Sequence, residues 1–218
     1  MGIKLYFLDL SPPCRTVDLV VHHLGLKVEY INVNLLAGEH LQPEFIKINP
    51  THTIPAIDND GFILYESHAI CAYLMSKYGK EDSLYPKDLY KRAKVDEQLH
   101  YSNELFALFK YITRPILYDN NTVVSEEKKK AVLEKYNVLE RALAGQDYFA
   151  GNQLTIADLS NISFVPLYQV YVPLPKDKFP RLTGWISRCE QNITKYNEVN
   201  GKGLEALRNL ILAKLNEK

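Results

Sequence analysis

Residues 10–20 read LSPPCRTVDLV, and how this stretch is read decides the first third of the chain. The run before it, IKLYFL at 3–8, is short and rich in β-formers, as a strand requires. Pro12 is acceptable at the first position of a helix, where its missing N–H costs nothing, and Ser11 before it is a good N-cap. The apolar spacing through PPCRTVDLVVHHLGL predicts an amphipathic helix closed by Gly25. A second strand, VEYINVNLL (28–36), follows after two residues. Further on, TIPAIDNDGFILYES holds two apolar runs around Asp58-Asn59-Asp60-Gly61, a strong hairpin signal, and SHAICAYLMSKY (67–78) is a helix. A βαβ unit joined to a ββα unit gives a mixed four-stranded sheet with helices packed on it.

After GKEDSLYPKD (79–88), whose composition suits a connector, the strand signal ends. Val95, Leu99, Ser102, Phe106 and Phe109 recur at helical spacing, as do Val132, Tyr136, Leu139 and Leu143, then Leu204, Leu207, Ile211 and Leu215. Ser125 caps the helix that opens SEEKKK, Gly145 lies just beyond its end, and Thr155 with Asp158 in LTIADLS forms a capping box. Pro115 ends or bends the long helix that contains it. The expected architecture is α+β in two domains, residues 1–80 and an all-helical 88–218.

Bulk properties narrow the classes of function. Lys plus Arg number 26 and Asp plus Glu 26 in 218 residues, so no global field draws the chain to nucleic acid or an anionic membrane. No apolar run approaches the ~20 residues that span a bilayer, and MGIKLYFLDL lacks the pattern of a signal peptide. Three cysteines, Cys14, Cys71 and Cys189, without CxxC or Cys/His spacing, fit reduced thiols in the cytoplasm rather than a disulfide framework or a metal site.

A strand ending in S-P-P-C at a helix start occupies the position of a thioredoxin-like redox motif, with Ser11 in place of the first Cys. A serine forms no disulfide, but its hydroxyl can donate a hydrogen bond to a ligand's thiolate at the positive end of a helix dipole. A free thiol has a pKa of ~8.5, and a helix N-terminus with nearby donors lowers it by one to several units. The plain alternative is a helix cap. In NPTHTIPAI, a cis Ile54-Pro55 bond turns the Ile54 backbone toward an extended peptide, and His52 can donate to a carboxylate; an ordinary edge proline and a solvated His are the alternatives. In YESHAICAYL, Ser67 and the free N–H groups at the helix start suit a carboxylate while Glu66 suits an ammonium, together an amino-acid head group.

Taken in order, SPPCR, VNLLAGEHLQPEF, NPTHTIPAI, ESHAICAYL, LTIADLS and NGKG resemble the cytosolic glutathione transferases over essentially the whole chain. The likeness is to the insect epsilon class, with delta nearest after it. That resemblance implies a thioredoxin-like glutathione-binding domain, an all-helical electrophile-binding domain, a homodimer and glutathione as co-substrate, with no metal. It implies that Ser11 stabilises the glutathione thiolate. Ile54 beside Pro55 would meet the cysteinyl backbone, with Thr53 adjacent; Glu66 and Ser67 would hold the γ-glutamyl end, His40 and His52 would lie at the glycine carboxylate, and His68 would be a further glutathione-binding residue. The electrophile would sit between Pro13 and Leu36 on one side and Phe106, Phe109, Leu117 and Tyr118 on the other, with Leu207 closing the cleft and Lys110 and Arg114 adding positive charge. Conjugation is the leading activity; dehydrochlorination and peroxide reduction use the same thiolate. A thiol-disulfide exchange through Cys14, a non-catalytic carrier of hydrophobic ligands and a specialised steroidogenic enzyme are the competing functions.

Overall fold

The computed structural model describes residues 2–217. Strand β1 (Ile3–Phe7) runs parallel to β2 (Val28–Asn32) and antiparallel to β3 (Ala56–Asn59), which pairs with β4 (Phe62–Tyr65), giving the order β2-β1-β3-β4. The central strand alternates as the pleat demands: Ile3, Leu5 and Phe7 are buried, Lys4 is exposed and Tyr6 lies between. Asp60 (φ 55°) and Gly61 (φ 89°) both take the left-handed backbone of a two-residue hairpin.

Helix α1 (Pro12–Leu24) ends at Gly25 in the left-handed conformation, and nine of its thirteen residues are buried. An amphipathic helix on a sheet hides one face; α1 hides nearly all of itself because it packs against α3 (Ser67–Tyr78) and also against α6 (Ile156–Ile162) of the helical half. A short helix, α2 (Pro43–Ile46), carries the chain toward β3. The helical half comprises α4 (Leu89–Tyr118), α5 (Glu126–Ala142), α6, α7 (Pro180–Asn192) and α8 (Lys202–Asn216), with a π-helical turn Asn197–Gly201 leading into α8. Its core includes Leu105, Ile112, Tyr136, Phe164, Tyr168 and Trp185, each under 2% exposed. Burying one such side chain contributes about 1.5–3 kcal/mol.

Two boundaries differ from the sequence reading. The second strand, expected over 28–36, stops at Asn32. Helix α4 continues through Pro115 to Tyr118. Pro115 stands in the last turn, where Asp119 N–H still reaches the Pro115 carbonyl at 3.0 Å, so few hydrogen bonds are forfeited there.

Candidate functional site

Four loops from the sheet half lie at one end of the strands. Ser11 precedes α1 with extended backbone (φ −83°, ψ 114°), and its hydroxyl makes no capping bond to the helix. Two prolines follow, so the first turn of α1 has only the Cys14 N–H as an orphan donor. Ser11 is 9% exposed. The helix start therefore leaves its dipole and a hydroxyl uncommitted by the protein's own capping.

The chain before β3 carries a cis Ile54-Pro55 bond. Its shape is set by Asn49, which is fully buried and which sequence reasoning passed over. Asn49 Nδ2 donates to the Thr53 carbonyl (2.7 Å) and hydroxyl (3.2 Å), while its Oδ1 accepts from Thr51 N (3.0 Å) and Thr51 Oγ1 (2.7 Å). The only sequence signal was an Asn before a Pro, an ordinary turn cue. Thr53 thus spends its carbonyl and hydroxyl on the loop itself. His52, at φ 46°, is exposed and its ring lies 6.3 Å from that of His40.

His40 Nδ1 is buried with no hydrogen-bond partner. Burial lowers the His40 pKa, and the charges of His52 and Arg114 push the same way. Arg114 belongs to α4. Phe106, Lys110, Arg114 and Tyr118 recur every four residues and make one stripe along α4. Lys110 Nζ stands 5.6 Å from the Phe106 ring centre.

Glu66 holds φ 71°, a left-handed conformation that costs a non-glycine residue about 1 kcal/mol or more. It precedes α3, whose first helical bond is Ile70 N–H to the Glu66 carbonyl at 2.9 Å, and no side chain caps this end. The N–H groups of Ser67, His68 and Ala69 are left for a ligand, beside an exposed carboxylate and the Ser67 hydroxyl.

Three expectations change. The His68 side chain turns across the domain boundary: Nε2 pairs with Ser160 Oγ at 2.8 Å, and Ser160 Oγ pairs with Ser102 Oγ at 2.8 Å. Burial, reinforced by His100, lowers the His68 pKa to about 4. What His68 offers a ligand is its backbone N–H. Phe109 (3% exposed) packs among Phe106, Phe164, Tyr168 and Tyr171, and Leu207 is 4% exposed. These two are core residues, because helical spacing cannot distinguish the two sides of a stripe. Of the other apolar residues expected in that cleft, Pro13, Phe106 and Leu117 are partly exposed, and Leu36 and Tyr118 are exposed.

Cys14 is fully buried, and burial raises its thiol pKa to about 12 although the Ser11 hydroxyl pulls it down. It is neither accessible nor ionised at neutral pH, which removes the redox reading. A cavity of about 290 Å³ lined by Leu19, His23, Leu84, Tyr148 and Asn192 lies toward the other end of α1 and includes none of the site residues.

The sequence pattern of the glutathione S-transferase N-terminal domain matches residues 5–82, and that of the C-terminal domain matches residues 69–192. The chain belongs to the glutathione S-transferase family. This transferase is 39% identical to Glutathione S-transferase 1 of Manduca sexta across 99% of its own length and 100% of that protein's. An epsilon-class glutathione S-transferase of the housefly, Musca domestica, superposes with a TM-score of 0.94 at 41% identity, covering 97% of this chain and 98% of that one. A glutathione transferase homologue of Drosophila mojavensis, solved with bound glutathione, gives 0.93 at 40%, with 98% and 97% covered. The transferase is of the insect epsilon type, with delta-class structures also close. Its N-terminal part is the family's thioredoxin-like unit and its C-terminal part the family's helical one. Among the described residues no helix is long and apolar enough to cross a membrane.

Proposed function

We propose that this glutathione transferase is a serine-type enzyme of the cytoplasm, working as a homodimer, that conjugates glutathione to hydrophobic electrophiles. Residues 1–80 bind glutathione and residues 88–218 bind the electrophile. The observation that carries this reading is Ser11 at a helix start with its hydroxyl withheld from capping.

The residues present fit glutathione. The uncapped start of α3 and the Ser67 hydroxyl take the γ-glutamyl carboxylate, and Glu66 takes its ammonium. The backbone of Ile54, ahead of cis-Pro55, pairs with the cysteinyl residue. His40, whose orphaned Nδ1 needs a partner, receives the glycine carboxylate with His52, and Arg114 adds charge. When bound, glutathione supplies a sulfur nucleophile. Ser11 donates a hydrogen bond to the thiolate form and the α1 dipole adds to it, so the thiol ionises closer to neutral pH. Pro13, Leu36, Phe106, Leu117 and Tyr118 exclude water and hold the apolar electrophile; Lys110 and Arg114 favour polar or anionic groups at its edge.

Conjugation to 1-chloro-2,4-dinitrobenzene across pH, for wild type and Ser11→Ala, tests this. Loss of about 10- to 100-fold in kcat/KM at neutral pH, recovering as the pH passes the free thiol's pKa of about 8.5, is the expected result. An unchanged pH profile removes Ser11 from the mechanism.

A further inference from the structure

The residue after Cys14 is a fully buried cation that the thiolate chemistry does not touch. Arg15 is 0% exposed and spends its guanidinium on three separate segments. Nη1 donates to the Asp9 carbonyl at 2.7 Å, in the loop leading to Ser11. Nη2 donates to the Ser163 carbonyl at 2.6 Å, at the end of α6, and Nε donates to Asn200 Oδ1 at 2.9 Å, in the π-helical turn before α8. Asn200, also fully buried, passes a hydrogen bond on to the Ile162 carbonyl at 3.4 Å. Burial lowers the Arg15 pKa to about 10, against the pull of neighbouring Asp9, so it stays protonated.

Space has been left for this arrangement. A Cβ on Gly203 would stand 2.6 Å from the Asp9 carbonyl oxygen and 2.7 Å from Arg15 Cδ. Only a residue without a side chain lets α8 close on the loop. Next to Arg15, Thr16 Oγ1 reaches Ser163 Oγ at 3.1 Å, and Ser163 Oγ donates to the Ser160 carbonyl at 2.7 Å. The loop itself is short and closed, with Ser11 N–H donating to the Leu8 carbonyl at 2.9 Å. Holding the Asp9 carbonyl from the helical side therefore holds the turn that presents Ser11.

We propose that Arg15 is a positioning residue for thiolate formation: by locking the Leu8–Ser11 turn to α6 and to the π-helical entry of α8, it fixes where the Ser11 hydroxyl points. The lock couples the half of the molecule that binds the electrophile to the serine that activates the thiol. It needs a planar fork with several donors; a lysine keeps the charge but cannot serve three diverging acceptors. This inference rests on Ser11 being the thiolate donor.

The test titrates the thiol of bound glutathione by its ultraviolet absorbance, and measures kcat and glutathione KM against pH with 1-chloro-2,4-dinitrobenzene. Variants are Ser11→Ala, Arg15→Lys, Asn200→Ala, Gly203→Ala and the Ser11→Ala/Arg15→Lys pair, each checked for folding by circular dichroism. Expected for Arg15→Lys is a rise of about one pKa unit in the bound thiol, hence about tenfold lower kcat at neutral pH, regained at alkaline pH with KM within about twofold. Asn200→Ala and Gly203→Ala move the same way by less, and carry the test if Arg15→Lys does not fold. The pair shifts no further than Ser11→Ala alone, because both changes remove one interaction. Folded variants with the wild-type thiol pKa overturn the proposal, as does full additivity in the pair. If Ser11→Ala itself leaves the thiol unmoved, the donor reading fails first and takes this one with it.

Discussion

Helices in the two halves of the chain begin differently, apart from α8, which runs on from the π-helical turn with no side-chain cap. In the helical half, α4 starts with Asp88 accepting from Lys91 N–H, α5 with Ser125 accepting from Lys128 N–H, and α6 with the reciprocal Thr155–Asp158 box. Even α7 is served, because Glu140 of α5 accepts from Arg181 N–H (3.1 Å) and Leu182 N–H (2.9 Å). In the sheet half, α1 and α3 begin at Ser11 and Glu66 with no side-chain cap. Capping satisfies a helix for the sake of stability; an uncapped start keeps donors and dipole for something else. Two serines with the same local sequence role, Ser11 and Ser125, thus do opposite things.

This contrast breaks most severely at Asp158. Its buried carboxylate accepts from Phe149 N–H (3.0 Å), Thr155 N–H (2.9 Å), Thr155 Oγ1 (3.0 Å) and Trp185 Nε1 (2.9 Å). Asp158→Ala orphans several buried donors and is expected to cost about 4 kcal/mol in urea unfolding, or to prevent folding outright. If it unfolds like the wild type, the capped half does not depend on its caps.

Next is the uncapped start of α3. Ser67→Ala is expected to raise the glutathione KM about tenfold with kcat at saturation within about twofold, since the hydrogen bond proposed for Ser67 goes to a charged group remote from the sulfur. A fall in kcat without a change in KM would detach Ser67 from binding.

His68 sharpens the boundary between the halves. Its folded pKa, about 4, lies below the ordinary 6.5 because the neutral ring is buried. The unfolded chain takes up a proton below pH 6.5 that the folded one refuses, so the stability His68 contributes above that pH is lost as the pH falls toward 4. His68→Gln should flatten the acid limb of stability against pH by up to about 1.4 kcal/mol per unit. An unaltered slope would mean the ring ionises freely.

In stability the smallest effect belongs to the pair of serines compared directly. Ser125→Ala should cost about 1 kcal/mol of stability and leave conjugation untouched, whereas Ser11→Ala should cost little stability and most of the neutral-pH rate. Equal stability losses would erase the distinction on which the site rests.

Much of this was legible along the chain because it is local. The Asp60-Gly61 turn, Gly25 at the end of α1, the Ser125 cap and the Thr155–Asp158 box each depend on residues within a few positions of one another. Burial of Val132, Tyr136, Leu139 and Leu143 follows from a period of 3.6. Phe109 and Leu207, expected at a cleft, are buried; periodicity says which face is apolar, not whether that face meets the core or a cleft. Asn49 and Arg15 carried no distinctive pattern, since a polar residue before Pro50 and a basic residue on a helix are usually solvated.

By itself, then, the order of residues determined the four strands, helices α1, α3, α4, α5, α6 and α8 though not α2 or α7, and the candidate thiolate site, because propensity, capping and hydrophobic period act over one or two turns. Contacts between residues far apart in the chain decided the rest. Arg15 meets Asn200 across 185 positions and His68 meets Ser160 across 92. A side chain's choice between solvent, ligand and a distant carbonyl exists only once α1, α3, α6 and α8 have packed together.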